Sequence, residues 1–360
     1  MLNKYLNMID YTVSGYIISD NKFNKLQDCK NCISCSKLKS NYKDYSDIGI
    51  IVATWDLYFN EIIANLNEIG FPIMNTYFLP GWNKRTISHK MTPRSKERIG
   101  IEVNLADRCN LNCQMCDHFA PLAKPTFLDI KAFRKDMERL AYLTKNHIGI
   151  MRLEGGEHLL NDDTIEFIKI TRELFPNSII LFFTDGLLLK KWENHPTGNF
   201  WQICHDYNVR IEFTVYPIGI KVNEIQDLAK KYNVMLDVFT EAGHRKLEGI
   251  KKSVKHPFDL EGNVEKWQFI SCFQFNECIT LRNGKLYTCP IIPYIEHFNN
   301  YFNQNLQVSS KDYIDIYEAK TYEELAEFVT HRTDFCRYCK IKERKVFDWK
   351  QSKRVIEEYI

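Results

Sequence analysis

Apolar and polar positions along the chain change their period in a regular way. Ile50-Ile51-Val52 is a short apolar run, and residues 58–69 then repeat apolar side chains at helical spacing, through Ile62, Ile63, Leu66 and Ile69. Gly70 follows where a helix C-cap belongs. Residues 1–80 therefore read as a small α/β unit. Residues 81–98 are basic, broken by glycine and proline and without periodicity, and read as a linker. From Ile101 the alternation becomes sustained. Residues 101–105 alternate as a strand, and Ile130, Phe133, Met137, Leu140 and Leu143 line one face of a helix. Further strands are predicted at 148–153, 178–183, 209–215 and 233–239, with helices starting near Asn161 and spanning about 222–232. Strands that alternate with helices pair in parallel through right-handed crossovers, and sites form in the loops at their C-terminal ends. Beyond residue 270 the pattern changes again: Asn283-Gly284 separates two alternating segments, the signature of a two-residue hairpin. The charged C-terminal residues 346–360 read as a helix.

Composition adds little except in cysteine. Hydrophobic residues make up 44% and charged residues 26% of 360, and the formal net charge is +2, so no global field favours nucleic acid or an anionic membrane. The first twenty residues lack an apolar core of signal-peptide length, and no stretch approaches the roughly 18 apolar residues of a membrane span. A cytoplasmic protein is expected. Twelve cysteines in such a chain cannot be a disulfide framework, because the cytosol keeps thiols reduced. All but Cys204, which reads as a small buried hydrophobe, fall into three groups, and grouped thiols in a reducing compartment indicate metal.

Cys109, Cys113 and Cys116 form C-x3-C-x2-C in the loop after the strand at 101–105. Three thiolates hold three irons of a cubane cluster and leave the fourth open, whereas four would close it. The competing reading is zinc, with Asp117 or His118 as fourth ligand. Arg152 to Glu157 (RLEGGE) ends the next strand, Thr184-Asp185-Gly186 the third, and Thr214 to Pro217 the fourth.

This triplet, in this place and with these loops, resembles the radical S-adenosylmethionine superfamily over roughly residues 100–240. The resemblance implies a partial (β/α)6 TIM-type barrel over 99–270, preceded by the small N-terminal α/β (Rossmann-like) domain. It implies a [4Fe-4S] cluster on the three cysteines. It also implies S-adenosylmethionine held by Gly155, Gly156, Glu157, Asp185 and Thr214, with Glu157 meeting the cofactor's ammonium. Two positions depart from the family pattern: His158 stands in place of a proline, and Met115 in place of an aromatic. His118 and His158 are the candidates for acid–base catalysis.

Cys272, Cys289, Cys336 and Cys339 resemble the auxiliary-cluster cap, the twitch or SPASM type, of radical dehydrogenases. That implies a β-hairpin-containing iron–sulfur cap over 271–345 with a second [4Fe-4S] cluster. Cys278 is an alternative to Cys272. A two-residue turn at Asn283-Gly284 puts Cys278 opposite Cys289, with opposed Cβ atoms about 4.5–5.5 Å apart. Structural zinc is the competing reading for this group. Cys29, Cys32 and Cys35 match the start of a ferredoxin run without its fourth member, and cluster, zinc and free thiols all stay open. The aromatics Trp192, Phe200, Trp201 and Tyr216 read as core.

The expected activity is reductive cleavage of S-adenosylmethionine to a 5′-deoxyadenosyl radical that takes hydrogen from a small-molecule substrate. Oxidation of a sugar or sugar nucleotide is favoured, with a flavodoxin- or ferredoxin-type electron donor. A ribosomal-peptide maturase is the alternative enzyme. A non-catalytic iron–sulfur or zinc-binding protein is the alternative of another class.

Overall fold

The computed structural model describes residues 16–18, 32–34, 37–38, 50–52, 76–78, 100–239, 252–264, 272, 274, 278–330 and 333–360. The chain divides into two compact units, Met1–Thr92 and Pro93–Ile360. In the first, β1 (Tyr16–Ile18) pairs in parallel with β2 (Cys32–Ser34), and β3 (Ile50–Val52) with β4 (Thr76–Phe78). Cys29 and Cys35, the expected helix at 58–69 and the linker at 81–98 lie outside the described residues; Cys32 opens β2.

Among the described residues, the second unit is built on one sheet of eight strands. Its parallel run is β5 (Gly100–Asn104), β6 (Ile150–Glu154), β7 (Ile179–Thr184), β8 (Val209–Thr214) and β9 (Leu236–Phe239). The helices α1 (Ile130–Thr144), α2 (Thr164–Leu174), α3 (Phe200–Asp206) and α4 (Val222–Lys231) connect these strands in turn. Asp129 starts α1 by accepting from the amides of Lys131 and Ala132, a side-chain cap for donors that have no partner within the helix.

The two faces of the sheet differ in chemistry. Ile101, Val103, Met151, Leu153, Ile180, Phe182, Ile211 and Phe213 join Phe133, Met137 and Leu140 of α1 in one core. Strand geometry sends the intervening residues to the other face. Register aligns Glu102 with Arg152, Asn104 with Glu154, Phe183 with Glu212, and Glu212 with Asp237. That second face is polar.

The C-terminal segment adds to this sheet and corrects one expectation. Residues 271–345 supply three of the eight strands. The hairpin β11 (Thr280–Arg282) and β12 (Lys285–Tyr287) joins the main sheet, β11 lying parallel to β5, and β13 (Tyr313–Asp315) follows β12. The reason is the open edge of β5: its unpaired backbone groups are taken up, the Glu102 amide donating to the Ile279 carbonyl at 2.7 Å. The sixth strand parallel to the run is thus β11, on the far side of β5. β10 (Lys252–Lys255) leaves the sheet to pair with β14 (Lys345–Asp348). Among the described residues β9 and β13 are edges and do not pair with each other. Finally, residues 346–360 form no α-helix. They continue β14, run alongside the loop that follows β5, and close in one 3-10 turn at Ile356–Glu358. The hairpin is followed by α5 (Ile291–Phe302), and β13 by α6 (Tyr322–Thr330). No helix among the described residues is long and apolar enough to cross a membrane.

Candidate active site

The loop after β5 carries Cys109, Cys113 and Cys116 and is curled by left-handed residues at Asn112, Met115 and Phe119, with φ of 51°, 51° and 52°. It is held from two sides. On one side runs the segment after β6. The Gly156 amide donates to the Ala106 carbonyl and the Glu157 amide to the Arg108 carbonyl, each at 2.8 Å. A Cβ on Gly156 would stand 2.0 Å from the Arg108 carbonyl oxygen, and one on Gly155, at φ +135°, 2.8 Å from that of Ala106. The glycines therefore admit the loop's own backbone.

On the other side lies the C-terminal half. Arg282 grips Asp107 with both guanidinium nitrogens at 2.8 and 2.9 Å, and His297 adds a contact at 3.3 Å. Burial alone would raise the Asp107 carboxyl; His297 and Arg282 outweigh it and hold the group down at about 2. The tail completes the grip. The Gln114 amide donates to the Lys350 carbonyl at 3.0 Å, the Ser352 amide to Asn112 at 2.8 Å, and the Trp349 indole to Cys113 Sγ at 3.0 Å.

The three thiols lie near enough to act on one another electrostatically. Burial pushes the Cys109 thiol far up and Cys116 to about 11, and in both the neighbouring cysteines add to the rise. Thiolate bound to iron removes that conflict, since metal ligation takes the proton away. Tyr216 lies beside all three, its phenol pushed well up by burial and then by the Cys113, Cys116 and Cys109 charges, with its ring 5.3 Å from that of Trp349. Of the four aromatics expected in the core, Trp192, Phe200 and Trp201 are buried there; Tyr216 instead faces the cysteines, half-buried.

Glu157 turns inward. Its carboxylate accepts from the Leu159 amide at 3.1 Å, the Thr184 hydroxyl at 2.9 Å and the Asp185 amide at 2.9 Å, tying the β6 loop to the end of β7. Burial, then repulsion from Asp185, holds its carboxyl well above the usual range. Asp185 Oδ1 caps Leu187, while Oδ2 is buried without a partner. Thr214 ends β8 half-buried on the polar face. His158 packs edge-on to Phe182 at 4.1 Å inside the core, where burial drops its pKa to about 3 and keeps it neutral. His118 lies edge-on to Tyr294 at 5.4 Å; burial, only partly offset by Asp117, lowers it to about 4. Lys255 of β10 pairs with Asp117 next to the loop. Burial would raise that carboxyl, and the ammonium more than reverses it.

The second thiol group also assembles. Cys272, Cys289, Cys336 and Cys339 line one cavity with His256, Gln274 and Phe335. Burial raises the Cys289 and Cys339 thiols well above their usual value, and the other members of the group raise them further. Hairpin register aligns Thr280 with Tyr287 and Arg282 with Lys285, as a two-residue turn requires. The ladder stops there, however. The Cys278 amide turns back to the Gln274 carbonyl, and its buried thiol lies against Glu102 rather than Cys289.

Periodicity drew attention to motifs and passed over Asn104, Glu154, Lys255 and Trp349. Two of these were readable. A parallel strand covered on both faces is apolar throughout, yet IEVN and MRLE are polar at every second position.

Fold and loop together give a mostly parallel α/β sheet with three thiols on a loop beside a glycine-lined strand end. No family model matches the chain. It is 25% identical to a GTP 3′,8-cyclase of Staphylococcus carnosus over 258 residues, 66% of this chain and 69% of that protein. It is 26% identical to the FeMo cofactor biosynthesis protein NifB of Methanocaldococcus jannaschii over 174 residues, 45% of this chain and 53% of that one. Among solved structures, BtrN in complex with AdoMet and 2-DOIA aligns with a TM-score of 0.43 at 17% identity, covering 72% of this chain and 96% of that one. Streptococcus suis SuiB bound to precursor peptide SuiA aligns at 0.33 and 11%, covering 80% and 76%. The sequence likenesses support the radical S-adenosylmethionine superfamily for this chain, a superfamily whose enzymes use a [4Fe-4S] cluster and S-adenosylmethionine.

Proposed function

We propose that this enzyme oxidises a sugar or sugar nucleotide by two electrons, with a flavodoxin or ferredoxin as donor of the initiating electron. The observation that carries the reading is the division of the thiols into a set of three on the β5 loop and a set of four, three of them buried, lining one cavity. In this reading Cys109, Cys113 and Cys116 hold the cluster with an open iron, and Cys272, Cys289, Cys336 and Cys339 hold a closed one. Cys278, turned towards Glu102, is left out.

Cys109, Cys113 and Cys116 would hold the first cluster, which with S-adenosylmethionine would supply the radical chemistry that removes one hydrogen atom from the substrate. This chain's residues do the rest. The parallel run serves as a partial barrel whose polar face, from Glu102 to Asp237, suits a hydroxyl-rich substrate better than an apolar one. Gly155 and Gly156 bring the β6 loop against the cluster loop, while Asp185 Oδ2 and Thr214 offer polar contacts to the cofactor. The four-thiolate group can take the second electron without offering a coordination site, and the substrate proton leaves to solvent.

Anaerobic reconstitution tests this. Dithionite-reduced protein should form 5′-deoxyadenosine from S-adenosylmethionine, and Cys113→Ala should abolish it. A triple Ala variant at 109, 113 and 116 should keep about four irons, as a closed cubane requires. Adding Cys278→Ala should leave that iron in place, whereas adding Cys272→Ala should remove it. One zinc and no iron in the triple variant would remove the oxidative reading.

A further inference from the structure

Charges on the polar face of the sheet do not balance. Glu102, Glu154, Glu212 and Asp237 stand there against Arg152 and Arg210. Arg210 is engaged by Glu212 at 3.2 Å and by Asp237, and Arg152 lies 3.6 Å from Glu102. Glu154 feels the same Arg152 charge, shared with Glu102. It shares a hydrogen bond with Glu102, and its Oε1 is buried without any partner. Beside it, aligned in register at the C-terminal end of β5, is Asn104. That side chain is only 6% exposed, yet neither its amide oxygen nor its amide nitrogen has a partner.

Buried polar atoms are almost always paired, so three unmet atoms side by side call for a ligand. Their chemistry is specific. Glu154 Oε1 and Asn104 Oδ1 both accept, and Asn104 Nδ2 donates. An ammonium supplies the two accepted hydrogens and the missing positive charge, and a neighbouring hydroxyl oxygen accepts from the amide. We propose that Glu154 and Asn104 form a substrate-recognition subsite for an ammonium group flanked by a hydroxyl, as in an amino sugar. Gly155, which follows Glu154, carries no side chain, and the Ala106 backbone lies against it. Burial, then the Glu102 charge, holds the Glu154 carboxyl well above its usual range; an arriving cation takes over the compensation that a proton otherwise gives. The assignment rests on the polar face being the substrate chamber of the proposed enzyme.

The test uses cluster-loaded full-length protein with S-adenosylmethionine, and saturation-transfer NMR with glucosamine, N-acetylglucosamine and glucose as probes. Glucosamine should bind at least tenfold more tightly than the two neutral sugars. Glu154→Gln should erase that preference, and so should Asn104→Ser, which serves if the first variant fails to fold; iron content and Tm serve as folding controls. The dissociation constant of S-adenosylmethionine, read by calorimetry, should stay within about twofold. Equal binding of the three sugars by the wild type overturns the subsite, as does a preference that survives in both variants. A loss confined to S-adenosylmethionine affinity overturns it too, since the ammonium would then be the cofactor's own. Formation of 5′-deoxyadenosine separates the two readings. Its absence with the amine preference intact sinks the proposed oxidation alone; its presence without the preference sinks the subsite alone.

Discussion

Replacing Gly156 with Ala tests the idea that the glycine pair exists to let the β6 segment lie on the cluster loop. The backbone at Gly156 is not left-handed, so the substitution is purely a matter of space. The new methyl would sit 2.0 Å from the Arg108 carbonyl oxygen, 2.5 Å from its carbon and 3.1 Å from the Cys109 amide nitrogen. All three are backbone atoms, so relief requires the two segments to part by more than 1 Å (roughly the shortfall from ordinary contact). Parting breaks the Gly156–Ala106 and Glu157–Arg108 hydrogen bonds, both 2.8 Å long. Each contributes about 0.5–1.5 kcal/mol net. Overpacking of this kind adds about 1–3 kcal/mol. The sum, roughly 2–6 kcal/mol, corresponds to a fall in Tm of roughly 5–20 °C for a unit of this size. Because the displaced residue is next to Cys109, iron retained after anaerobic reconstitution should fall as well. Differential scanning calorimetry and iron analysis read the two effects. Gly219→Ala is the control: φ is +79°, but nothing lies within 4 Å, so only modest backbone strain follows. A Gly156→Ala protein with full iron and a Tm within about 2 °C of wild type, under 1 kcal/mol at this size, would refute the reasoning.

Trp349→Phe removes the indole donor from Cys113 Sγ while keeping the aromatic contact with Tyr216. Hydrogen bonds to sulfur favour the reduced, more negative cluster, so potentiometry should find the reduction potential lowered at unchanged iron content. Lys255→Met strands the half-buried Asp117 carboxylate and should cost on the order of 2 kcal/mol at neutral pH, read by thermal unfolding; adding Asp117→Asn should restore most of it. Glu154 has a folded pKa above its ordinary 4.5, so it contributes most below that value and loses the contribution as pH rises through the raised one. Glu154→Gln should therefore flatten the decline in stability above about pH 4.5, measured by urea unfolding across pH.

Much of the fold was legible because the parallel run obeys one rule. Strands expected at 101–105, 178–183 and 209–215 lie within a residue or so of β5, β7 and β8. The turn at Asn283-Gly284 set the hairpin register correctly. What that register could not tell was where the ladder ends, because Cys278 is decided by a backbone turn to Gln274 and by Glu102, which lies far away in sequence. The tail misled for a similar reason. Its charged residues suit a solvated helix, yet the curled cluster loop leaves backbone groups at Asn112 and Gln114 that an extended chain can meet and a helix cannot. Glu157 shows the limit of reading a motif by its residue type. A carboxylate suits an ammonium, but here its oxygens are taken by Thr184, Asp185 and Leu159.

The position of the C-terminal segment explains how a loop can present three thiols. Segments with few buried contacts and few internal hydrogen bonds open easily, and a cluster site needs its ligands held still. Here rigidity comes from outside the loop. The β6 segment binds it at Ala106 and Arg108, Arg282 of the hairpin clamps Asp107, and residues 349–352 run along Leu111 to Gln114. Arg282 also lies over the Tyr294 ring at 4.1 Å, tying that clamp to the helix which follows Cys289. The segment that brings the four cavity thiols together is thus the one that fixes the loop carrying the other three. Loss of the tail should then loosen the three-thiol loop before it affects the four-thiol cavity. The two thiol groups are coupled through the fold, with no direct contact between their sulfurs required.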